Sequence, residues 1–158
     1  MENYFIYNTV IGDLRVESNG KEITKIAFHD DNFINLNTNK ILKKDKVIDL
    51  ACKELGEYFK GKRKEFFFPM LPEGTEFQKK VWNALKDIPY GEKRTYKDIA
   101  IQIGNEKACR AVGMANNKNP LPIVVPCHRV IGSSGKLVGY AGGLNIKEKL
   151  LKIENENK

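Results

Sequence analysis

A cysteine and a histidine stand side by side in the stretch Pro120-Leu121-Pro122-Ile123-Val124-Val125-Pro126-Cys127-His128-Arg129-Val130-Ile131-Gly132. A thiolate is the reactive form of cysteine, and a neighbouring imidazole is a base that can produce it. Three prolines restrict the backbone before Cys127, so the segment is predicted to be a short, stiff apolar strand that ends at Pro126. The pattern favours a nucleophilic cysteine, although a cysteine alone is more often a small buried hydrophobe.

The positions of the two side chains limit the proton transfer between them. Adjacent side chains of an extended segment point to opposite faces. Direct transfer from Cys127 to His128 therefore needs a bend at Cys127, or a bridging water molecule.

Length and composition are those of a globular protein of one medium or two small domains. The chain has 158 residues, 41% hydrophobic and 30% charged. No apolar run approaches a membrane span, and the first residues do not resemble a secretory signal. The three cysteines lack metal-ligand spacing and are odd in number, which argues against disulfides and a structural metal site. We therefore expect no metal, and we expect a cytoplasmic location.

The positive charge is concentrated in the half that carries the Cys-His pair. The net charge is +7, and residues 72–158 contain 15 Lys and Arg against 9 Asp and Glu. An anionic polymer partner such as nucleic acid would require this distribution, although solubilising lysines would also produce it.

The first half is predicted to be a small antiparallel sheet with one covering helix. Strands are expected over 3–10, 13–18 and 22–29, with a tight hairpin at Asn19-Gly20. Residues 30–41 are predicted to be a loop, and apolar spacing predicts a helix over 45–60. Cys52 is interpreted as a core residue, and His29, at a strand end, as a surface residue. A domain boundary is expected near residue 70, which gives domains 1–70 and 71–158.

The second half is predicted to be mostly helical and to contain a winged helix-turn-helix. Capping boxes begin helices at Thr75 and Thr95, and Asn105 is expected to cap a helix rich in small residues. A hairpin-like wing is expected at 130–138. Asn145 is expected to cap a last helix. The fold class is therefore α+β.

Several motifs of the second half match one family in order and spacing. They are Phe77-Gln78 to Val81-Trp82, Ile88-Pro89-Tyr90-Gly91, Thr95-Tyr96, Arg110-Ala111-Val112-Gly113, Asn119-Pro120 and Tyr140-Ala141-Gly142-Gly143-Leu144. With the Pro-Cys-His-Arg-Val string, they resemble the O6-alkylguanine-DNA alkyltransferases, also called methylated-DNA–protein-cysteine methyltransferases. The resemblance is strong over residues 72–154 and loose over 1–70. It implies a ribonuclease-H-like supporting domain followed by a domain that binds DNA and accepts the alkyl group.

The resemblance implies a single-turnover transfer of an alkyl group to Cys127 from O6 of guanine, and also from O4 of thymine, with no cofactor. It implies a proton relay from Cys127 through water to His128 and on to Glu154. It further implies that Tyr96 donates a hydrogen bond to the guanine and that the backbone N–H of Ala141 contacts O6. The pocket and its supports are expected to comprise Asn119, Pro122, Val130, Tyr140 and Ala141.

The partner implied by the resemblance is double-stranded DNA containing O6-alkylguanine, bound through the minor groove by a monomer. The damaged base must be flipped out to reach the thiol, and Arg110 matches the arginine that fills the space it leaves. Asn105, Lys97 and Ser133 are candidate phosphate or groove contacts.

Three alternatives stay open. The chain could be a non-catalytic relative that binds alkylated bases, although such proteins lack the acceptor cysteine. It could be a thiol hydrolase that uses Cys127 and His128, or a winged-helix regulator in which the Cys-His string is structural.

Overall fold

The structure is a computed structural model that describes residues 2–28, 41–135, 137, 139–140 and 142–158. The chain forms two compact units, Met1–Pro72 and Glu73–Lys158. The whole Pro-Cys-His-Arg-Val string lies in the second unit. The loop predicted over 30–41 lies outside the described residues except for Ile41. Within the described ranges, no helix has the length and apolar character needed to cross a membrane.

A four-stranded sheet with the strand order β3-β2-β1-β4 forms the base of the first unit. The strands are β1 (Asn3–Thr9), β2 (Gly12–Ser18), β3 (Ile23–Phe28) and β4 (Ile41–Leu42). The first three are antiparallel neighbours, as predicted. Gly20 has a φ of +94°, which a residue without a Cβ adopts at little cost. β4 is not predicted from the sequence and pairs in parallel with β1, so the sheet is mixed rather than wholly antiparallel.

One helix, α1 (Lys46–Phe59), covers this sheet and contacts β1, β2 and β3. It begins after Asp45, whose Oδ1 accepts a hydrogen bond from the Ile48 N–H at 2.9 Å. The helix predicted over 45–60 is therefore confirmed. Cys52 lies on its buried face, which agrees with its interpretation as a core residue.

Four α-helices lie in the described part of the second unit: α2 (Glu76–Lys86), α3 (Tyr96–Gln102), α4 (Cys109–Asn117) and α5 (Leu144–Asn157). Both predicted capping boxes are present, at Thr75 and Thr95. α2, α3 and α4 pack against one another, and α3 and α4 form the predicted helix-turn-helix. Their packing buries Trp82, whose Nε1 donates a hydrogen bond to the Ala115 carbonyl oxygen at 2.9 Å.

Two predicted helix caps are wrong. α4 begins after Ala108 rather than after Asn105. Asn105 instead completes the end of α3, because its N–H donates to the Ala100 carbonyl oxygen at 2.9 Å beside Gly104, which has a φ of +82°. α5 begins after Gly143, so Asn145 lies inside its first turn.

The segment that follows the Cys-His pair is not paired with Leu137, the one described residue of the second strand of the predicted wing. β6 (Val130–Ile131) pairs in parallel with β5 (Arg94–Thr95), and β5 directly precedes α3 in the chain. Gly132 and Gly135 close a turn, since the Gly135 N–H donates to the Gly132 carbonyl oxygen at 2.9 Å. Leu137 is in no strand, and Val138 lies outside the described residues. The parallel pairing places the start of α3 beside the end of the Cys-His string.

Candidate active site

The loop of residues 119–126 leads to the cysteine, and it folds back on itself. Pro122 and Val125 form an isolated bridge across a turn. Asn119 holds this turn with two hydrogen bonds: its Nδ2 donates to the Val125 carbonyl oxygen at 2.7 Å, and its Oδ1 accepts from the Leu121 N–H at 2.9 Å. The prediction of an extended strand is therefore wrong. Both the prolines and the Asn119 side chain make the loop stiff.

Ile123, within this turn, has a φ of +76° and is the one non-glycine residue with positive φ in the described chain. A β-branched residue in this region is strained, because its Cβ approaches the backbone. The Ile123 side chain is buried, and that burial together with the Asn119 hydrogen bonds offsets the strain. The loop therefore has little freedom to adopt another conformation just before the thiol.

Cys127–Arg129 form a single 3-10 turn rather than an extended chain. Such a turn has three residues per revolution, so the Cys127 and His128 side chains no longer point to opposite faces. The structure contains the bend at Cys127, but Nδ1 of His128 has no hydrogen-bond partner among the described residues, so the bend alone does not join the two side chains. All three residues are buried, and Cys127 is only 4% exposed.

Glu154 of α5 lies behind the histidine. Its Oε2 is 2.6 Å from Nε2 of His128, and its Oε1 accepts a hydrogen bond from the Gly91 N–H at 3.2 Å. The carboxylate accepts, so Nε2 carries the hydrogen of the neutral ring. Nδ1 is then the proton acceptor, and it has no hydrogen-bond partner among the described residues.

Arg129 contacts the same carboxylate. Its Nε lies 2.8 Å from Oε1 of Glu154 and its Nη2 lies 3.0 Å from Oε2, while its Nη1 donates to the Ile88 carbonyl oxygen at 2.7 Å. Two parallel hydrogen bonds between a guanidinium and a carboxylate are stronger than one and fix the geometry of the pair. The sequence analysis missed this role, although Arg129 belongs to the motif.

The surroundings strongly favour the ionised form of Glu154, whereas they favour the neutral form of His128. Burial by itself would raise the pKa of the Glu154 carboxyl, but the hydrogen bonds and charges of His128 and Arg129 outweigh it and hold this pKa well below its usual range. Burial lowers the pKa of the His128 imidazole, and the opposing influence of Glu154 does not fully compensate. The pair at rest is therefore a carboxylate and a neutral ring.

A buried lysine whose role was not predicted from the sequence, Lys147, also lies within electrostatic reach of the thiol. Lys147 of α5 donates a hydrogen bond from Nζ to the Val130 carbonyl oxygen at 2.6 Å. Burial raises the pKa of the Cys127 thiol, while hydrogen bonding to Asn119 and the positive charge of Lys147 act in the opposite direction. The available sequence signal was the spacing of Lys147 and Glu154, seven residues apart on one helical face.

Tyr96 begins α3 and forms one wall beside the thiol. Burial raises the pKa of its hydroxyl, and the charge of a Cys127 thiolate would raise it further, so the two groups are within electrostatic reach. A Cβ on Gly113 of α4 would lie 3.8 Å from the Tyr96 ring, and one on Gly139 would lie 3.9 Å from its hydroxyl. Tyr140 follows, and its hydroxyl also favours the thiolate. Ala141 lies outside the described residues.

The four candidate DNA contacts are all exposed: Lys97, Asn105, Arg110 and Ser133. Lys97 lies at the start of α3, and its Nζ is 3.9 Å from a Glu106 carboxylate oxygen. Arg110 and Ala111 lie on the exposed face of α4, together with Met114. These exposed residues contrast with the buried Cys127 and with Pro122 and Val130, which are also buried.

Comparison with known proteins identifies the family. Residues 76–156 match the model of the 6-O-methylguanine DNA methyltransferase DNA-binding domain, and residues 3–72 match that family's ribonuclease-like domain. The constitutive methylated-DNA–protein-cysteine methyltransferase of Bacillus subtilis is 44% identical over 98% of this chain and 96% of its own. A methyltransferase of the same name from Methanosarcina acetivorans is 66% identical over 66% of this chain and 67% of its own.

Solved structures give the same result. The O6-methylguanine methyltransferase of Mycobacterium tuberculosis superimposes with a TM-score of 0.93 at 42% identity, covering 100% of this chain and 95% of that one. A structure of the Mycobacterium tuberculosis protein in complex with DNA gives a TM-score of 0.91 at 42% identity, covering 98% and 94% of the two chains. The predicted α+β fold class is confirmed. The chain belongs to the methylated-DNA–protein-cysteine methyltransferase family.

Proposed function

We propose that this protein repairs DNA by moving an alkyl group from O6 of guanine to the sulfur of Cys127. O4-alkylthymine, with its alkyl group on a comparable exocyclic oxygen, is a second substrate. The observation that carries the proposal is a buried thiol at the head of a 3-10 turn, followed by a histidine whose Nε2 lies 2.6 Å from a buried carboxylate. This is the arrangement of an activated cysteine nucleophile.

The reaction begins with removal of the thiol proton. Nδ1 of His128 accepts this proton by way of a water molecule, and Glu154 stabilises the positive ring that forms. The charge of Lys147 favours the thiolate. The sulfur attacks the alkyl carbon, so that a carbon–sulfur bond forms as the bond from that carbon to O6 breaks, and the electron pair remains on the guanine.

The guanine that leaves carries negative charge, and Tyr96 stabilises it. A half-buried hydroxyl beside the thiol is suited to donate a hydrogen bond as that charge develops. The Ala141 backbone N–H is a second donor. The product thioether has no leaving group that could be displaced to regenerate the thiol. Each molecule therefore reacts once.

The substrate is duplex DNA, and α4 binds its minor groove. A thiol as buried as Cys127 cannot reach a base inside the stack, so the nucleotide has to rotate out. Arg110, on the exposed face of α4, fills the space that the rotated nucleotide leaves in the base stack. Small residues such as Ala111 let α4 approach the DNA closely. Asn105, Lys97 and Ser133 contact the phosphates or the groove.

The second unit carries out both DNA binding and transfer, since every described group of this chemistry lies within Glu73–Lys158. The first unit, which matches a ribonuclease-like domain, supports it. The protein acts as a monomer, because one chain supplies all of these groups. A thiol that must stay reduced while it waits for a lesion suits a reducing compartment, here the cytoplasm.

Mass spectrometry after incubation with an oligonucleotide containing O6-methylguanine tests the proposal. Transfer predicts a gain of about 14 Da on the peptide containing Cys127, once per molecule. Cys127→Ala should lose the gain and still bind DNA. Cys52→Ala, which removes a buried cysteine of the other unit, should keep it. An unchanged mass would favour a non-catalytic binder or a regulator, and release of many guanines per chain would favour a hydrolase-like turnover.

The base-flipping step has its own test. Arg110→Ala should slow repair of duplex DNA by about tenfold more than repair of single strands, because only the duplex requires a filled stack. Lys149→Ala removes an exposed positive charge from α5 and serves as the charge-matched control. Equal losses on duplex and single strand would show that Arg110 does not fill the stack.

A further inference from the structure

Four nitrogen atoms converge on the two oxygens of Glu154. Nε2 of His128 and Nη2 of Arg129 reach Oε2, at 2.6 and 3.0 Å. Nε of Arg129 and the backbone N–H of Gly91 reach Oε1, at 2.8 and 3.2 Å. The arginine thus shares the carboxylate with the histidine, and its third contact, to the Ile88 carbonyl oxygen, anchors it from outside the turn.

The charges around the imidazole come from three parts of the unit. α5 supplies Glu154 and Lys147, and the 3-10 turn supplies Arg129 and the Cys127 thiol. The segment after α2 supplies Tyr90, whose ring centroid is 5.6 Å from the Arg129 guanidinium carbon. The imidazole therefore interacts with one carboxylate and with two cations, Arg129 and Lys147, so a further positive charge on the ring is poorly stabilised.

We propose that Arg129 is a positioning residue of this site, which fixes the Glu154 carboxylate so that His128 rests as a neutral ring with its hydrogen on Nε2 and its lone pair on Nδ1. This inference rests on the alkyl transfer proposed above. It assigns the arginine a role in how the proton leaves the thiol, in addition to its structural contacts.

The physical reason is that a histidine paired with a carboxylate alone tends to become charged, since an imidazolium and a carboxylate attract each other. A ring that already holds a second proton cannot take one from Cys127. Arg129 competes for the same negative charge and repels the imidazolium. The ring therefore stays ready to accept a proton at Nδ1, and it becomes charged only when the sulfur loses its proton.

Nitrogen-15 NMR of the unmodified protein is the first test. The chain has two histidines, so the His128 signals are those that disappear in a His128→Gln variant. At pH 7 we expect a hydrogen on Nε2 and none on Nδ1, with the second proton taken up only below the ordinary histidine value of about 6.5. A doubly protonated ring at pH 7, or a hydrogen on Nδ1 alone, would overturn the inference.

The rate of methyl transfer from single-stranded O6-methylguanine DNA, measured against pH, is the second test. Removing the positive charge in Arg129→Gln makes the His128 ring easier to protonate. The acidic limb of the pH–rate profile should therefore shift to higher pH by about one unit. Arg129→Lys keeps the charge without the two parallel hydrogen bonds, and should shift the profile less. A lower rate with an unshifted profile in both variants would mean a purely structural role.

These two tests separate this inference from the proposed function. The NMR measurement needs neither a variant at Arg129 nor any activity, so it still decides the charge state if Arg129→Gln does not fold. A protein that gains no methyl group but shows the expected ring would contradict the proposed function alone.

Discussion

Replacement of Asn119 by alanine should destabilise the second unit and loosen the approach to Cys127. The change leaves the N–H of the fully buried Leu121 without a partner and removes one of the two donors to the Val125 carbonyl oxygen, which keeps its hydrogen bond from the Cys127 N–H at 2.7 Å. A buried polar group left unsatisfied costs about 1–3 kcal/mol. Because Asn119 is itself only half-buried, water can replace part of the loss, and we expect about 1–3 kcal/mol in total.

Urea unfolding followed by the fluorescence of Trp82 measures this effect within the second unit, since the chain has one tryptophan and it is buried there. With a slope of about 2 kcal/mol per molar urea, within the usual range of about 1–3, the midpoint should fall by about 0.5–1.5 M. Asn83→Ala, at an exposed position of α2, should change the free energy of unfolding by less than about 0.5 kcal/mol. A shift as small for Asn119→Ala would refute the role of its two hydrogen bonds.

Three further outcomes can be measured with the same protein. The pKa of the Glu154 carboxyl is lowered by folding, so its stabilisation is present above the unfolded value of about 4.3 and is lost as the pH falls below it; Glu154→Gln should flatten this part of the stability profile. Gly91→Ala should lower the urea midpoint by more than Gly104→Ala. Both glycines have positive φ, so each substitution strains the backbone by about 1–2 kcal/mol. Of the two, only Gly91 lies where a Cβ would clash with another side chain, that of Lys158 at 2.9 Å. Burial raises the pKa of Cys52 to about 11, so iodoacetamide at pH 8 should label it about a hundredfold more slowly than an ordinary thiol, and more slowly than the half-exposed Cys109; equal labelling by peptide mapping would contradict this.

The elements that short-range chemistry determines were predictable. The capping boxes at Thr75 and Thr95 depend on residues close in sequence, and both are present. The hairpin between β2 and β3 is present as well, but its loop comprises four residues, 19–22, rather than the two predicted at Asn19-Gly20. Asn105 has the same capping chemistry, yet it completes the end of α3 beside Gly104. A residue between two helices can serve either one, and the sequence does not show which.

The site was predictable where a motif carried it and not where packing determined it. Cys127 and His128 are recognisable from the string, but the conformation that precedes them is not, because a β-branched residue such as Ile123 strongly disfavours positive φ. Arg129 and Lys147 carry charges that normally remain in water. Only the folded unit, with partners for both inside it, shows why they are buried.

The order of Asn119 and Pro120 affects how long the loop can survive chemical ageing. Asparagine side chains deteriorate when the backbone nitrogen of the next residue attacks the amide carbon and expels ammonia. A proline nitrogen carries no hydrogen and is held in a ring, so this cyclisation is blocked at Asn119. An aspartate there would turn a negative oxygen toward the Val125 carbonyl, where the amide now donates. For a molecule that is consumed by a single lesion and must wait intact until it meets one, this neighbour preserves the loop over the whole waiting time.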